Sequence, residues 1–201
     1  NAALYDRQKT GKGAFIDVSM LDCQIAILEN AIARYLSKNE IPGPMGSRHP
    51  SIAPFEAFKT KDSYIIIAAG NDKLFTKLCD VLKIPETAND ERFNSNSLRC
   101  ENMDHLKEIF EKQLSSKSTD EWVKEMEELK IPCGPIFNIK QAVENPQIQE
   151  RNMIVKSYHK IIGEFKSAGN PIKMSTYKDE NTRGNIPDLD EHREKIIKEF
   201  S

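Results

Sequence analysis

Residues 55–75, FEAFKTKDSYIIIAAGNDKLF, contain the pattern that decides the fold class. Residues 55–58, which begin and end with phenylalanine, and the apolar residues 64–69 flank the polar residues 59–63, an arrangement typical of a β-hairpin. The second of these strands is apolar enough to be buried on both faces. A helix is predicted directly after it, because apolar residues recur there at helical spacing: Leu74, Phe75, Leu78 and Leu82.

Helices and a further strand are also predicted on both sides of this hairpin. Upstream, residues 14–18 are predicted as a short strand, and a helix capped by Ser19 is predicted to end near Asn39. Its apolar face is formed by Leu21, Ile25, Leu28, Ile32, Tyr35 and Leu36. Downstream, Ser97 is predicted to cap one helix, and Ser118 is predicted to open another through a capping box.

The last third of the chain is predicted to hold shorter elements. These are brief helices at residues 140–144 and 146–151, strands at 153–159 and 172–174, a polar loop at 176–188 and a charged helix at 189–200. Helices and strands are therefore mixed without strict alternation. This order predicts an α/β or mixed α+β fold.

The composition is that of a globular protein with a charged surface. The chain has 201 residues, which most often make one domain and at most two small ones. The net charge of −2 argues against nucleic-acid binding, because such proteins carry a strong basic excess. No apolar run approaches the roughly 18 residues of a membrane span, and the mean hydropathy is −0.58. We therefore expect no nucleic-acid partner and no membrane partner.

The cysteines and histidines form no recognisable site. No pair of cysteines has the Cys-x-x-Cys spacing typical of zinc or redox sites; they are Cys23, Cys79, Cys100 and Cys133. We predict reduced, mostly buried thiols in a cytoplasmic protein. The histidines, at positions 49, 105, 159 and 192, have no second ligand at metal spacing, so no metal site is predicted.

Individual residues that could act in catalysis have a simpler interpretation as parts of helix starts. Asp72 follows Gly70 and Asn71 at the beginning of a predicted helix, where an N-cap or first-turn acid is expected. Asp17 and Ser19 have the same double interpretation, and no base pairs with Ser19 in a recognisable motif. These residues do not make a complete catalytic set.

The segment GPMGSRHP, residues 43–50, is the most suggestive stretch of the chain. Its small residues let backbone amides approach a ligand, and Arg48 and His49 offer charge and hydrogen bonds to an anion. The alternative is a domain linker with a hinge. Composition alone favours the linker, because Gly/Pro stretches are common connectors.

Several segments, taken in order, resemble the family III CoA-transferases of the CaiB/BaiF type. TGKG at residues 10–13, followed by IDVSMLD at 16–22, is similar to the family's TGKG…DVSLL passage. GSRHPSIAPF at residues 46–55 resembles its GxxHPxIAPY element. Shorter similarities follow at residues 69–72, 90–93, 121–122, 131–136 and 145–147, together with Arg99 and Asn102.

The resemblance implies a mixed α/β fold, with the small domain of a family III CoA-transferase, flanking linker helices and a fragment of the large Rossmann-like domain. Residues 1–38 would be the end of a large-domain portion and a long connecting helix. Residues 39–176 would be the small α/β domain, and residues 177–201 a linker and helix returning to the large domain. Complete members are longer and form interlocked homodimers.

The resemblance also implies the chemistry. Family members exchange CoA between an acyl-CoA thioester and a small carboxylic acid through an enzyme-aspartyl intermediate, with acyl-CoA as a substrate and no permanently bound cofactor. The nucleophilic aspartate precedes the TGKG passage, so it is expected upstream of residue 1 and no catalytic residue is expected in this chain. The family's mobile glycine-rich loop over the active site corresponds to the predicted substrate-binding residues Gly46, Ser47, Arg48, His49 and Pro50.

One departure from the family pattern concerns a turn near the carboxyl terminus. LDEH at residues 189–192 resembles the family's LGEH, with Asp190 where the family has glycine. Glycine is the residue that tight turns favour. The departure therefore puts a tight turn at Asp190 in doubt.

Two other functions stay open at this point. One is an α-methylacyl-CoA racemase of the same fold, whose acid and base residues would also lie outside this chain. The other is a non-catalytic module, truncated or from a split gene, that completes or regulates a partner. Under the leading interpretation, residues 1–201 alone are expected to be inactive.

Overall fold

The structure is a computed structural model that describes residues 1–39 and 41–201. The chain separates into two compact units, Asn1–Pro50 and Ser51–Ser201. Within the described residues, the first unit is helical, whereas the second contains helices and strands.

The first unit contains the helices α1 (Ala2–Thr10), α2 (Met20–Ile27) and α3 (Glu29–Lys38). Ser19 caps α2 as predicted, because its hydroxyl accepts a hydrogen bond from the Asp22 N–H at 3.4 Å. The single helix predicted beyond Ser19 is divided at Leu28, whose φ of −87° and ψ of 17° interrupt the helix. The apolar stripe therefore extends over two helices instead of one.

The predicted strand at residues 14–18 is wrong. These residues form no strand in the described part of the first unit, and Phe15 is 96% exposed. A strand satisfies its backbone N–H and C=O groups by pairing with a neighbouring strand. Because the described part of this unit holds no such neighbour, the β-forming sequence stays unpaired.

One sheet of the second unit consists of β1 (Phe55–Lys59), β2 (Tyr64–Ala68) and β3 (Cys133–Pro135). The strands are antiparallel in the order β1-β2-β3, so the hairpin prediction is confirmed. The expectation that β2 is buried on both faces is wrong: Ile65 and Ile67 are fully buried, whereas Ile66 is only partly buried. Only the face that carries Ile65 and Ile67 joins the hydrophobic core.

Helices following β2 supply many of the other core residues. They are α4 (Asp72–Val81), a short 3₁₀ helix (Pro85–Asn89), α5 (Asn96–Glu101), α6 (Met103–Leu114) and α7 (Thr119–Glu128). Phe110 lies at the centre, with the rings of Phe58 and Phe75 at 5.7 and 6.3 Å between centroids. Each large apolar side chain that is fully buried contributes roughly 1.5–3 kcal/mol. This core holds together residues 53–133 of the second unit.

The helix caps of this unit were predicted with mixed success. The capping box of α7 is confirmed, because Ser118 accepts from the Glu121 N–H and Glu121 accepts from the Ser118 N–H. The predicted cap at Ser97 is wrong. Ser95 caps α5 by accepting from the Leu98 N–H at 3.4 Å, which places Ser97 inside the helix.

A polar cluster joins the β1–β2 turn to the start of α7. The hydroxyls of Thr60 and Thr119 lie 2.7 Å apart, and both residues are buried. Asp62 Oδ1 accepts hydrogen bonds from the N–H and the hydroxyl of Thr119, each at 2.9 Å. These bonds, led by that of the Thr119 N–H, hold the pKa of Asp62 below its usual value.

Asp62→Asn is expected to lower the melting temperature at neutral pH, because the amide keeps the shape but loses the charge that strengthens these bonds. The folded-state pKa lies below the unfolded-state pKa. The charge therefore stabilises the fold above the unfolded pKa, and this contribution is lost as pH falls through the folded pKa. Melting curves of the two proteins should converge under acid conditions, while Asp6→Asn at an exposed position of α1 serves as the control. A difference in melting temperature between wild type and Asp62→Asn that does not change with pH would contradict this role of the Asp62 charge.

The other sheet is formed by β4 (Ile154–His159), β5 (Gly163–Ala168) and β6 (Thr182–Asn185). Strand β4 is central, antiparallel to β5 and parallel to β6. In the chain these strands are preceded by α8 (Ile139–Glu144) and α9 (Pro146–Glu150) and followed by α10 (Arg193–Phe200). These elements confirm the predicted short helices, the strand at 153–159 and a helix within residues 189–200.

Strand prediction failed in the segment before α10. Residues 172–174 form no strand, whereas β6 lies within residues 176–188, which were predicted as a loop. The sequence of β6, TRGN, has no apolar alternation. Its pairing with β4 rests on backbone hydrogen bonds such as that from the Lys156 N–H to the Asn181 carbonyl at 2.9 Å. Tertiary pairing therefore makes this strand, against its local propensity.

Gly169 allows the chain after β5 to lie close to the backbone that precedes β4. A Cβ at this position would lie 2.4 Å from the Asn152 carbonyl oxygen and 3.2 Å from the Met153 Cα. Gly169→Ala is expected to lower the free energy of unfolding by about 2 kcal/mol, because backbone must shift to make room. Urea unfolding should show a much smaller effect for the control Gly184→Ala, whose Cβ would meet nothing within 4 Å. Equal effects of the two substitutions would refute the packing argument.

A tight turn is present at Asp190, where the family pattern has glycine. Its φ of 68° lies in the left-handed region, which aspartate adopts more readily than most non-glycine residues. The Asp190 carbonyl accepts from the Arg193 N–H at 3.2 Å, and its carboxylate contacts Arg193 Nε at 2.6 Å. The tight turn is therefore present, with aspartate at the position where the family has glycine.

All four cysteines are free thiols, but they are less buried than predicted. Cys79 is buried, Cys100 and Cys133 are partly buried, and Cys23 is exposed. Burial raises the pKa of Cys79 to about 12, which keeps this thiol protonated and unreactive. In the part of the chain that the structure describes, no cluster of His, Cys, Asp and Glu side chains could hold a metal ion. Within the same residues, no helix has both the length and the apolar character that crossing a membrane requires.

Candidate functional site

The candidate loop lies at the end of the first unit and consists of Gly46, Ser47, Arg48, His49 and Pro50 (the 46–50 loop). Its entry is a turn in which the Arg48 N–H donates to the Met45 carbonyl at 3.2 Å. Gly46 has a φ of 64°, where the absence of a Cβ avoids a steric cost. Gly46 and Ser47 are exposed, and Arg48 and His49 are half-buried. The two side chains suited to an anion thus follow directly after an exposed glycine turn.

The chain that follows the loop is firmly held within the second unit. The Asn96 side chain donates from Nδ2 to the Ser51 carbonyl at 2.8 Å and accepts at Oδ1 from the Ala53 N–H at 3.0 Å. The Ala69 N–H donates to the Pro54 carbonyl at 2.9 Å. The loop therefore leads into a segment whose backbone is tied to α5 and to the end of β2.

Arg99 is fully buried and ties the same segment to two others. Its guanidinium donates to the carbonyls of Ala53 at 2.9 Å, Phe93 at 3.0 Å and Gly70 at 3.2 Å. It also pairs with Asp72 Oδ1 at 2.8 Å. A single side chain thus joins the segment after the loop, the β2–α4 turn and the chain before α5.

Asp72 has a structural role, as the sequence indicated. It lies in the first turn of α4, and Asn71 is the N-cap that accepts from the Leu74 N–H at 2.9 Å. An acid in the first turn also interacts favourably with the positive end of the helix. Together with its pairing to Arg99, this confirms the interpretation of Asp72 as a first-turn acid.

Gly70 brings the β2–α4 turn close to Ile52. A Cβ on Gly70 would lie 1.9 Å from Ile52 Cγ2, so any side chain there would displace Ile52. Next to this contact is an open, mainly apolar depression of about 370 Å³, lined by Ile52, Phe55, Ala68, Gly70, Asn71, Leu74 and Asn96. The segment after the loop thus supplies one wall of a shallow apolar surface.

The other candidate residues from the sequence are found at other positions in the chain than the 46–50 loop and the segment that follows it. Ser19 caps α2, and Asp17 is exposed in the first unit. In the second unit, His105 stacks on Phe93 with 6.2 Å between ring centroids, and His159 Nε2 lies 3.3 Å from Asp188. Ser19, His105 and His159 therefore have local structural contacts.

Sequence reasoning assigned no role to Asn96 and treated Arg99 only as a point of similarity. The available signal was the run of serine and asparagine at residues 94–97, which is typical of a helix start. That signal does not indicate contacts with residues more than 40 positions earlier in the chain, such as Ser51 and Ala53. Only the folded chain brings α5 to the segment after the loop.

Two residue types of the 46–50 loop, the arginine and the histidine, can donate hydrogen bonds to an anion. A guanidinium can donate two parallel hydrogen bonds to a carboxylate, and an imidazole can add a third donor. Neither the guanidinium of Arg48 nor the imidazole of His49 is a carboxylate, so neither can be the aspartyl nucleophile that the family resemblance implies. A role of the 46–50 loop in binding substrate therefore stays a prediction.

Comparison with known proteins gives the family. The model of CoA-transferase family III matches residues 1–193. The chain belongs to CoA-transferase family III. The resemblance described above is thus confirmed.

Relatives of this family member are CoA-transferases. The chain is 41% identical over 200 residues to the acetyl-CoA:oxalate CoA-transferase of Acetobacter aceti, covering 100% of the chain and 50% of that protein. It is 34% identical over 198 residues to the human succinyl-CoA:glutarate CoA-transferase, covering 98% of the chain and 45% of that protein. The chain spans about half the length of the curated relatives it matches.

Solved structures support the same family. A CAIB/BAIF family protein from Brucella suis superposes with a TM-score of 0.81 at 34% identity, covering 100% of this chain and 51% of that chain. A Mycobacterium tuberculosis protein superposes with a TM-score of 0.79 at 23% identity, covering 98% and 50%, and shows the fold alone. The predicted mixed α/β fold of the CaiB/BaiF type is confirmed.

Proposed function

We propose that this chain supplies the small domain and flanking segments of an enzyme that exchanges CoA between an acyl-CoA thioester and a small carboxylic acid. The match to CoA-transferase family III over residues 1–193 is the observation that carries the proposal. In this proposal residues 39–176 are the small domain, with residues 1–38 and 177–201 belonging to or leading to a large domain. The active assembly is a homodimer.

The chemistry proceeds through an aspartyl intermediate. An aspartate carboxylate attacks the thioester carbon, which forms a mixed anhydride and releases the CoA thiolate. The thiolate attacks the aspartyl carbon of the anhydride, which releases the first carboxylic acid and leaves an enzyme-bound CoA thioester. A second carboxylate then repeats the two steps in reverse. By family resemblance this aspartate precedes the TGKG passage and corresponds to no residue of this chain.

The 46–50 loop binds the carboxylate and shields these intermediates. Anhydrides and thioesters hydrolyse readily, so an element that excludes water while acids exchange protects the reaction. Arg48 and His49 hold the negative charge of the incoming acid. This role requires no metal and no permanently bound cofactor.

The names of the relatives indicate the substrate class. Oxalate, glutarate and succinyl groups, which appear in these names, are dicarboxylic acids or their acyl groups. A dicarboxylate keeps one free carboxylate when the other is joined to CoA. Arg48 is the cation of the loop that suits this second carboxylate, so we propose small dicarboxylic acids as the acceptors.

The test uses the natural gene product that contains this chain. It is incubated with acetyl-, succinyl- and α-methylacyl-CoA donors and with paired mono- and dicarboxylic acids, and CoA exchange is followed by mass spectrometry. Exchange that favours dicarboxylic acids is the expected result. Racemisation without exchange would establish the racemase instead, and the absence of both reactions would leave only the non-catalytic module.

Arg48→Ala and His49→Ala test the role of the loop. Each is expected to lower kcat/KM for CoA transfer by about 10- to 100-fold, because a charge-assisted hydrogen bond to substrate is lost. Melting temperatures are measured alongside the kinetics, so that a loss of folding is separated from a loss of substrate binding. The matched controls are Arg151→Ala and His192→Ala, at exposed positions outside the loop. Unchanged kinetics in both loop variants would show that residues 46–50 are a plain linker.

A further inference from the structure

Asn96 makes an unusual pair of contacts with the segment that follows the loop. Its amide group donates to the Ser51 carbonyl at 2.8 Å and accepts from the Ala53 N–H at 3.0 Å. The two bonds bracket Ile52 and use both ends of one planar amide. A bidentate contact of this kind sets position and orientation together, whereas a single hydrogen bond leaves rotation free.

The Asn96 side chain is not needed to cap its own helix. Asn96 is the first residue of α5, and the cap is Ser95, whose hydroxyl accepts from the Leu98 N–H. Arg99, three residues later on α5, holds the Ala53 carbonyl but also serves Phe93 and Gly70. Asn96 can therefore be changed with less damage to the core than Arg99.

The anchored segment is covalently continuous with the 46–50 loop, because Ser51 follows Pro50. Fixing the Ser51 carbonyl limits the directions in which the chain can leave Pro50. A loop with one fixed end samples fewer conformations than one whose ends both move, so the geometry that transfer needs is populated more often. Losing the anchor should then slow the reaction more than it weakens binding of acyl-CoA.

We propose that Asn96 is a positioning residue for CoA transfer, which acts by fixing Ser51 and Ala53 at the carboxyl-terminal end of the 46–50 loop. The inference rests on the proposed function and adds a residue that touches no substrate. It predicts that changing the hydrogen bonds of Asn96, which lies 46 positions after Pro50, lowers kcat.

Asn96→Asp separates positioning from stability. The aspartate can still accept from the Ala53 N–H, but it faces the Ser51 carbonyl with an acceptor instead of a donor. An acid at the first position of a helix is favourable, so α5 itself is not weakened. Asn96→Ala removes both bonds. Asn94→Ala makes the same amide-to-methyl change at an exposed position two residues earlier and is the control.

The experiment measures kcat, KM for acyl-CoA, melting temperature and hydrogen exchange of the Ala53 amide in the natural gene product. For both Asn96 variants, kcat is expected to fall about 10-fold or more, with KM changed less than about 2-fold. The melting temperature should fall less in Asn96→Asp than in Asn96→Ala, because the aspartate keeps the acceptor for the Ala53 N–H. Exchange of the Ala53 amide should accelerate in Asn96→Ala, which removes its acceptor.

The outcomes distinguish this inference from the proposed function. An active wild type whose Asn96→Asp variant keeps the kcat of the control overturns the positioning role alone. A loss of kcat that only parallels a loss of melting temperature also overturns it, because the effect is then one of folding. A wild type that transfers no CoA overturns the proposed function, and the kinetic role of Asn96 with it.

Discussion

Residues 1–201 purified alone are expected to transfer no CoA, with turnover at least about three orders of magnitude below that of a complete transferase. The prediction follows from the proposal that the attacking aspartate corresponds to no residue of this chain. The carboxylates singled out earlier do not replace it. Asp72 is paired with Arg99, and Asp17 is an exposed residue of the first unit.

A chimera provides the positive reference for this prediction. Residues 1–201 replace the matching segment of the Acetobacter aceti relative, to which the chain is 41% identical. The chimera is expected to exchange CoA, whereas residues 1–201 alone, given the same donors and acceptors, are not. Mass spectrometry measures both the exchange and any covalent adduct. Robust exchange by residues 1–201 alone, or an acyl or CoA adduct on one of their aspartates, would place the nucleophile in this chain.

Arg99→Met is expected to lower the free energy of unfolding by about 4 kcal/mol. The methionine fills much of the volume but offers no donor, so the carbonyls of Ala53, Phe93 and Gly70 lose theirs. Each buried acceptor left unsatisfied costs about 1–3 kcal/mol. The guanidinium also lies over the Phe75 ring at 4.5 Å from its centroid, and this contact is lost as well. The carboxylate of Asp72 adds little, because its side chain is 76% exposed and stays hydrated.

Arg92→Met is the matched control for this change. Arg92 pairs with Asp90 at 2.6 Å, but its side chain is 51% exposed, and surface ion pairs contribute about 1 kcal/mol at most. Urea unfolding should therefore show a several-fold larger loss of unfolding free energy for Arg99→Met than for Arg92→Met. Arg99→Lys is expected to resemble Arg99→Met, because an ammonium cannot reproduce the planar fork of donors. Equal stability of the Arg99 and Arg92 variants would contradict the role given to Arg99.

Much of the second unit was predictable from local pattern. The β1–β2 hairpin and the capping box at Ser118 depend on residues only a few positions apart, so their signals lie within short stretches of sequence. The family assignment was predictable for a related reason. The order of short similarities along the chain identified it before any contact was known, and the match over residues 1–193 confirmed it.

The candidate site was only half predictable. Residues 46–50 were identified through their resemblance to the family's loop, and their role in binding substrate stays a prediction. The residues that anchor the following segment were not identified, because Asn96 lies more than 40 positions away from Ser51 and Ala53. The sequence around Asn96 contains no periodic pattern from which such distant hydrogen-bond partners can be predicted.

The sequence by itself determined the family, the hairpin and several helix starts, because each signal lies in residues that are close together in the chain. Tertiary structure alone decided that TRGN becomes β6, that residues 14–18 stay unpaired and that Ile66 is less buried than Ile65. It also decided that Arg99 serves three carbonyls from separate parts of the chain. The physical reason is that each outcome depends on contacts between segments that are far apart in the sequence. Backbone and side-chain polar groups must find hydrogen-bond partners when they leave water, and those partners are brought together only when distant segments pack.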